Sequence, residues 1–358
     1  MILAEEPEAA MTGKMKEKTV TQTDIARELN ISVVSVSNAL NGRPGVSNEL
    51  RQKIMDTAQE MGYRSSGVQP LPGSGTDACI GVLISKRYLL YTPSFYMKVY
   101  QEIVLAAAER NCVTFLEVLD AQDEDELKIP ELLGDEKVDG ILVVGELKHP
   151  FTRHIREASS VPVVFVDYYE DLPDTDFIIS DGYTGTCYLT RRMLEAGYRD
   201  IAFVGTISAT SSIMDRYLGY RKALMEQSLE IRPEWIIPDR EKDGDRLFVK
   251  LPENMPQAFV CNCDKTAGIL IARLRDAGYR VPEDIGVAGF DNFLMEEIEG
   301  ISLTTYDVDM GAMARVSVNT LLNKIRHPYF TSRLRVISGR MVCGNSFSHP
   351  GRECLWKK

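Results

Sequence analysis

No apolar run in the 358 residues approaches the roughly 18 that a membrane-crossing helix needs, so no spanning segment is expected. The opening MILAEEPEAAMTGK is acidic where a secretory signal is basic and then apolar, which predicts a cytoplasmic chain. Histidine is scarce and scattered, at His149, His154, His327 and His349, and the motifs H-E-x-x-H, G-x-S-x-G and G-K-[ST] are missing. With no general-base constellation in view, the expectation is a binding protein, not an enzyme, with no cofactor. The seven cysteines are odd in number and dispersed, which suits reduced core thiols better than a disulfide framework. Cys261 and Cys263 form a C-x-C without the second ligand pair a metal site needs.

An excess of positive charge is lacking too, since the chain carries a net charge of -11 at pH 7. A nucleic-acid partner therefore has to be sought in the distribution. Residues 14 to 64 hold eight lysines and arginines against six acids, so the negative charge lies elsewhere. Length favours two or three compact units, and the 44% hydrophobic and 26% charged fractions are those of an ordinary globular protein.

The basic stretch reads as three short helices. Thr21 caps the first, with Asp24 reaching back to it and Val20 stapling onto Ile25. Ile25, Ala26 and Leu29 form its buried stripe, and Asn30, tolerant of a left-handed backbone, stops it. Ser32 caps a second helix to about Leu40, with Val36, Ala39 and Leu40 on one face and Val34, Ser35 and Asn38 on another. After the turn Asn41-Gly42-Arg43-Pro44-Gly45, Ser47 caps a third helix whose Leu50, Ile54, Ala58 and Met61 complete a small core, ended by Gly62. In a helix-turn-helix the second helix enters the major groove while helix N-termini and small hydroxyls hold phosphates. Asn38 would then read a base, since an amide can bond adenine N6 and N7 together, and the methyls of Val33 or Val34 would meet a thymine methyl. A helical hairpin with no nucleic-acid role carries the same capping signals.

The run TQTDIARELNISVVSVSNALNGRPGVSNELRQKIMDTAQEMGYR, residues 21 to 64, resembles the DNA-binding head of the lactose-repressor/galactose-repressor (LacI/GalR) family. The shared features are D-I-A on the first helix, S-x-x-x-V-S-x-x-L-N-G, V-S before the third helix, and the closing G-Y. The resemblance implies that Val33, Val34 and Asn38 face bases, while Thr21, Ser32, Ser35, Ser37, Asn41 and Ser47 contact phosphates. Asn38 departs from the arginine often found there, which predicts an operator with A·T preference at that position.

Such a head is usually followed by a hinge helix that wedges a leucine into the minor groove. Here residues 65 to 77 read SSGVQPLPGSGTD, the expected position is Pro72, and Leu71 stands one residue early. Two prolines and Gly67 argue against a regular helix. Leu71 intercalates, or the segment is an irregular linker; both readings stay open.

From Cys79 onward short apolar runs alternate with amphipathic stretches: CIGVLIS, VTFLEVL, VDGILVVG, VPVVFVD, FIISD, IAFVG, AFVCN and IGVAGFD. This is the βαβ pattern of doubly wound parallel sheets, which bind ligands at the carboxyl ends of their strands. Asp167, Asp181, Asp264 and Asp291 each follow such a run, although a single carboxylate there is more often a cap.

The family resemblance continues to about Ser346, through D-R-x-x-G-Y at 215 to 220 and G-Y-R-V-P-E-D-I-G-V-A-G-F-D at 278 to 291. It implies an α/β sensor like the periplasmic sugar-binding proteins, with crossovers near Ile179, Tyr306 and Arg335. The first lobe is then residues 78 to 179 and 310 to 334, the second 180 to 306 and 335 to 346, preceded by a head at 15 to 64 and a disordered extension at 1 to 14. Met15 would be the more usual start. The tail, 347 to 358, lacks tetramer-forming heptads, so a homodimer is expected.

By the same resemblance Asp167, Arg216 and Asp291 bond the hydroxyls of an effector, with Phe95 and Tyr96 near its ring; Asp264 joins them as a strand-end carboxylate. Cys263 stands where the A-N-D motif has asparagine. The expected partners are operator DNA, a second copy of the chain and a small effector, most naturally a carbohydrate. A nucleoside or purine is the alternative, as is a small-molecule binder without DNA. Effector-released and effector-strengthened operator binding both fit.

Overall fold

The computed structural model describes residues 21–40, 46–61, 77–90, 94–134, 137–240, 247–293, 298, 300–327 and 330–347. The expected extension, Asn41 and the turn around it, the linker with Leu71 and the tail beyond Phe347 lie outside them. The chain divides into two compact units, residues 1–69 and 70–358.

In the first unit α1 (Gln22–Leu29), α2 (Val33–Leu40) and α3 (Asn48–Glu60) bury Ile25, Ala26, Val36, Ala39, Ile54 and Ala58 in one core, with Leu29, Leu50 and Met61 packed against it. Three short helices are individually marginal in water, so this shared apolar centre carries their stability.

The second unit holds two parallel sheets. In the first, β1 (Ala78–Ser85), α4 (Phe95–Ala108), β2 (Cys112–Leu119), α5 (Ala121–Asp125), β3 (Gly140–Val144), α6 (His149–Ala158), β4 (Val163–Val166) and β5 (Asp176–Ser180) follow in chain order. The chain then passes to the second lobe through α7 (Gly182–Glu195), β6 (Ile201–Val204), α8 (Ser211–Glu226), β7 (Ile236–Ile237), β8 (Ala258–Cys261), α9 (Asp264–Asp276) and β9 (Gly286–Ala288). It returns by β10 (Thr305–Asp307), α10 (Met310–Arg326), β11 (Leu334–Ile337) and β12 (Arg340–Val342). The sheet orders are β11-β5-β4-β3-β1-β2 and β7-β6-β8-β9, and β10 pairs antiparallel with β12 in a ribbon at the crossovers. Strands β1, β3, β4, β6 and β8 are buried along their whole length, as strands covered by helices on both faces must be.

One boundary differs from expectation. A crossover is expected near Arg335, with the second lobe resuming there; Leu334–Ile337 instead pairs in register with Phe177–Ser180 and stays in the first lobe. Buried Asp176 holds it there, accepting from the Ser332 and Arg333 N–H groups at 2.6 Å and pairing with Lys324 of α10. The turn comes at Gly339, where a Cβ would stand 2.0 Å from the Asp307 carbonyl oxygen, so only glycine lets the two crossover strands approach. The cysteines also correct one expectation: Cys79, Cys112, Cys187, Cys261 and Cys263 are free thiols, but Cys343 is disulfide-bonded.

Candidate functional site

The head presents one polar helix end and one apolar surface. Thr21 Oγ1 accepts from the Asp24 N–H at 3.4 Å while Asp24 Oδ2 accepts from the Thr21 N–H at 2.9 Å, so the two residues cap α1 reciprocally. Asn30, at φ 53°, ends it. Ser32 Oγ accepts from the Ser35 N–H at 3.0 Å and lies 2.8 Å from Ser35 Oγ, and Ser47 Oγ accepts from the Leu50 N–H at 3.3 Å. Between these caps Val33 and Val34 stand 42% and 67% exposed, side by side at the start of α2. Ser37 and Asn38 are half-buried on the same helix. Arg51 of α3 donates from Nη1 to the Asn38 and Ala39 carbonyls, fixing the end of α2.

In the second unit a cavity of about 190 Å³ lies between the lobes. From the first lobe Phe95 and Tyr96, in the opening turn of α4 behind the capping hydroxyl of Ser94, reach it together with Asp167, one residue past β4. The Tyr96 hydroxyl donates to Asp167 Oδ2 at 2.9 Å, and Ser180 donates to Oδ1 at 3.1 Å. From the second lobe come Arg216 of α8, Asp291 beyond β9, and Asn262 and Cys263 beyond β8. Arg216 Nη1 donates to the Asn262 carbonyl at 2.8 Å, and its guanidinium lies 4.1 Å over the Phe290 ring.

The pair at the centre of the cavity is incompletely satisfied. Arg216 Nη2 is 3.1 Å from Asp291 Oδ1, yet neither that oxygen nor Arg216 Nε has a hydrogen-bond partner, and both are buried. Burial raises the Asp291 carboxyl above its ordinary range, against the opposing pull of Arg216, and burial likewise raises Asp167. Burial lowers Lys265, on the same wall, to about 8. Asp167 and Asp291 also share a backbone feature, φ values of 60° and 98°, where a side chain other than glycine is strained. Buried, under-satisfied and strained polar groups converging on one cavity are the marks of a binding site.

The lobes touch directly. The Ser211 N–H donates to Glu146 Oε2 at 2.7 Å, the Tyr169 hydroxyl donates to Asp215 Oδ1 at 2.8 Å, and Phe95 meets Phe293 edge-on at 5.9 Å.

Not every expected carboxylate reaches the cavity. Asp264 lies behind its wall, accepting from the Thr305 hydroxyl at 2.6 Å and the Phe293 N–H at 2.9 Å, with burial raising its pKa to about 7. It therefore positions Phe293 and the crossover strand and does not line the cavity. Asp181 caps α7 through the Thr184 N–H. Sequence reasoning missed Asp239, which is fully buried and accepts from Asn262 Nδ2 at 2.6 Å, the Thr206 N–H at 2.9 Å and the Thr266 hydroxyl at 3.2 Å. It holds the loop that carries Asn262. The only available signal was an aspartate ending the apolar IIP before Arg240, itself a cavity residue. Cys263 caps α9, its sulfur accepting from the Thr266 N–H at 3.5 Å. Among the described residues no group of three or more His, Cys, Asp or Glu could hold a metal ion.

Residues 21–66 match the model for bacterial regulatory proteins of the lacI family, and residues 190–347 match that for the periplasmic binding protein-like domain. Relatives include the HTH-type transcriptional repressor PurR of Mannheimia succiniciproducens, 27% identical over 316 residues, 86% of this chain and 92% of the relative. The HTH-type transcriptional regulator RegA of Clostridium saccharobutylicum is 28% identical over 316 residues, covering 84% and 92%. Similar solved structures include a complex of the transcriptional regulator CelR with cellobiose, at TM-score 0.64 and 22% identity over 91% of this chain and 99% of that one. The lac repressor dimer bound to operator and the anti-inducer ONPF superposes at 0.61, with 20% identity over 92% and 99%. A LacI family regulator from Enterococcus faecium with bound ribose also superposes at 0.61, with 21% identity over 76% and 99%.

Proposed function

This chain belongs to the lacI family of DNA-binding transcriptional repressors, and from that premise we propose that a small polyhydroxylated ligand, a carbohydrate, closes between its lobes and sets its hold on operator DNA. The observation that carries the ligand reading is the Arg216–Asp291 pair, buried in the cavity with donor and acceptor left over. A planar guanidinium fork beside carboxylates suits vicinal hydroxyls, each of which both donates and accepts, and Phe95 offers an aromatic face to a sugar's C–H surface. Similar regulators carry cellobiose and ribose, in keeping with this chemistry.

In the head, Val33, Val34 and Asn38 read bases while Thr21, Ser32, Ser35, Ser37 and Ser47 sit at the phosphates. Exposed valines beside a base-reading amide suit the methyl and hydrogen-bonding edges of A·T pairs. A homodimer is supported by the apolar side chains left exposed on neighbouring α4 and β2, Leu105, Val113, Phe115 and Val118. Ligand closure acts by linkage: whatever prefers the closed lobes shifts the dimer between arrangements that hold the operator differently.

A purine or nucleoside is the second reading, favoured by the similarity to PurR-type repressors and by the edge-on Phe95–Phe293 pair across the lobes, an aromatic surface for a flat base. Thermal unfolding of the full chain against monosaccharides, disaccharides, nucleosides and purine bases separates the two. A ligand at 100 times its dissociation constant adds about 2.7 kcal/mol. A sugar response lost in Arg216→Met supports the proposal. A response to purines alone replaces the sugar, and silence across the panel removes both.

A further inference from the structure

We propose that the chain carries a second ligand site, at the crossovers, for a small organic anion with an aromatic or apolar body. Between α7 and the ribbon of β10 and β12 lies a cavity of about 530 Å³, separate from the one between the lobes and sharing no lining residue with it. Arg191, Arg192 and Arg340 all face it, with Tyr188, Tyr306 and Met341 supplying apolar surface.

The arginines are oriented but not saturated. Arg191 holds Glu226 through Nε and Nη2 at 2.6 to 2.8 Å, Arg192 holds Glu195 through Nη1 at 2.7 Å, and Arg340 holds Asp307 through Nε at 2.9 Å. Each pairing fixes a fork while leaving other N–H donors of the same guanidinium without a partner among the described residues. Three carboxylates balance three guanidinium groups, so the attraction for an anion comes from preset donor geometry more than from net charge. Planar forks match the oxygens of a phosphate or carboxylate in pairs. A bare ion would fill little of the cavity, whereas an aromatic body would also cover Tyr188 and Tyr306.

The position also gives occupancy a consequence. Tyr306, buried in the cavity wall, stacks on Phe290 at 5.2 Å and 28°, and Phe290 carries the Arg216 guanidinium. The Tyr306 carbonyl accepts from the Asp291 N–H at 2.9 Å, and its hydroxyl accepts from the Gly339 N–H at 2.8 Å. One tyrosine thus joins the crossover cavity, both crossover strands and the two central residues of the other cavity. A ligand against Tyr306 that favours one setting of these contacts biases the lobes, and the bias is reciprocal.

The test is titration calorimetry of the full chain with phenyl phosphate, with phenol and inorganic phosphate as partial probes. It does not depend on what binds between the lobes. The expected result is one saturable phenyl phosphate site per chain, with both partial probes at least tenfold weaker. Arg340→Gln, at a side chain 75% exposed, should weaken it severalfold without changing the unfolding midpoint, and Arg192→Gln with Arg340→Gln at least tenfold. Lys265→Ala, in the other cavity, should leave it unchanged. Absence of saturable binding overturns the proposal. So does binding that survives both arginine variants, or binding that falls with Lys265→Ala.

Discussion

Asp291 Oδ1 lies 3.1 Å from Arg216 Nη2 and accepts no hydrogen bond. The two charges are in contact but not well aligned, as expected of groups set for a third partner. Removing one member of a buried ion pair strands the other, at a cost of about 3–5 kcal/mol. Arg216→Met is therefore expected to lower the free energy of unfolding in urea by roughly 3 kcal/mol and to abolish stabilisation by ligand. Adding Asp291→Asn should recover part of the stability and none of the ligand response. A single variant as stable as the parent would show that the pair is not buried in solution.

Asp264 makes stability depend on pH. Its folded pKa of about 7 stands above the ordinary 3.8, with burial the main cause, so the folded state keeps this proton longer than the unfolded chain. The resulting stabilisation is complete below 3.8 and is lost as pH rises through about 7. Asp167 and Asp291 shift in the same direction, so a difference measurement is needed to isolate one group. Asp264→Asn should gain on the parent as pH rises from 4 to 8, by roughly 4 kcal/mol at most. Urea unfolding across that range reads it directly, and a difference independent of pH would exclude the shift.

Asn38 and Val34 make a prediction about sequence preference. Selection of operator half-sites from random DNA should show A·T pairs nearest these residues. Asn38→Ala should erase that preference, a loss of about 1–3 kcal/mol in discrimination, while leaving non-specific affinity in place. A G·C preference at the same positions would remove Asn38 from base reading.

The reciprocal cap of Thr21 and Asp24 is expected to contribute about 1 kcal/mol to α1. Thr21→Ala should lower amide-exchange protection along Asp24–Leu29 by roughly fivefold, the factor that 1 kcal/mol sets. Protection in α9 should not change.

The legible parts of this fold are those in which a segment's own pattern decides its structure. The eight apolar runs all became parallel strands; seven are apolar because helices cover both faces, while β2, at the sheet edge, keeps Val113, Phe115 and Val118 exposed. The caps at Thr21, Ser32 and Ser47 were legible for the same reason, since donor and acceptor lie within three residues. β7, β10, β11 and β12 were not, being two to four residues long and, in TYD and RMV, formed by their partners and not by any pattern of their own. At the cavity between the lobes Asp167, Arg216 and Asp291 came together as expected. Asp264 and Asp239 could not be placed from sequence, because a strand-end carboxylate that lines a cavity and one that braces its wall look alike. What separates them is the partner, Thr305 or Asn262, which is remote in the chain.

The positive φ at Asp291 changes how this residue can be interrogated. At φ 98° an alanine side chain is strained whatever the space around it, so Asp291→Ala removes a charge and deforms the backbone in one step. Asparagine tolerates positive φ better and removes the charge; glycine removes the charge and the strain together. The difference between those two variants measures how much conformational tension is held at the mouth of β9. A conventional alanine scan would misreport that position as purely electrostatic.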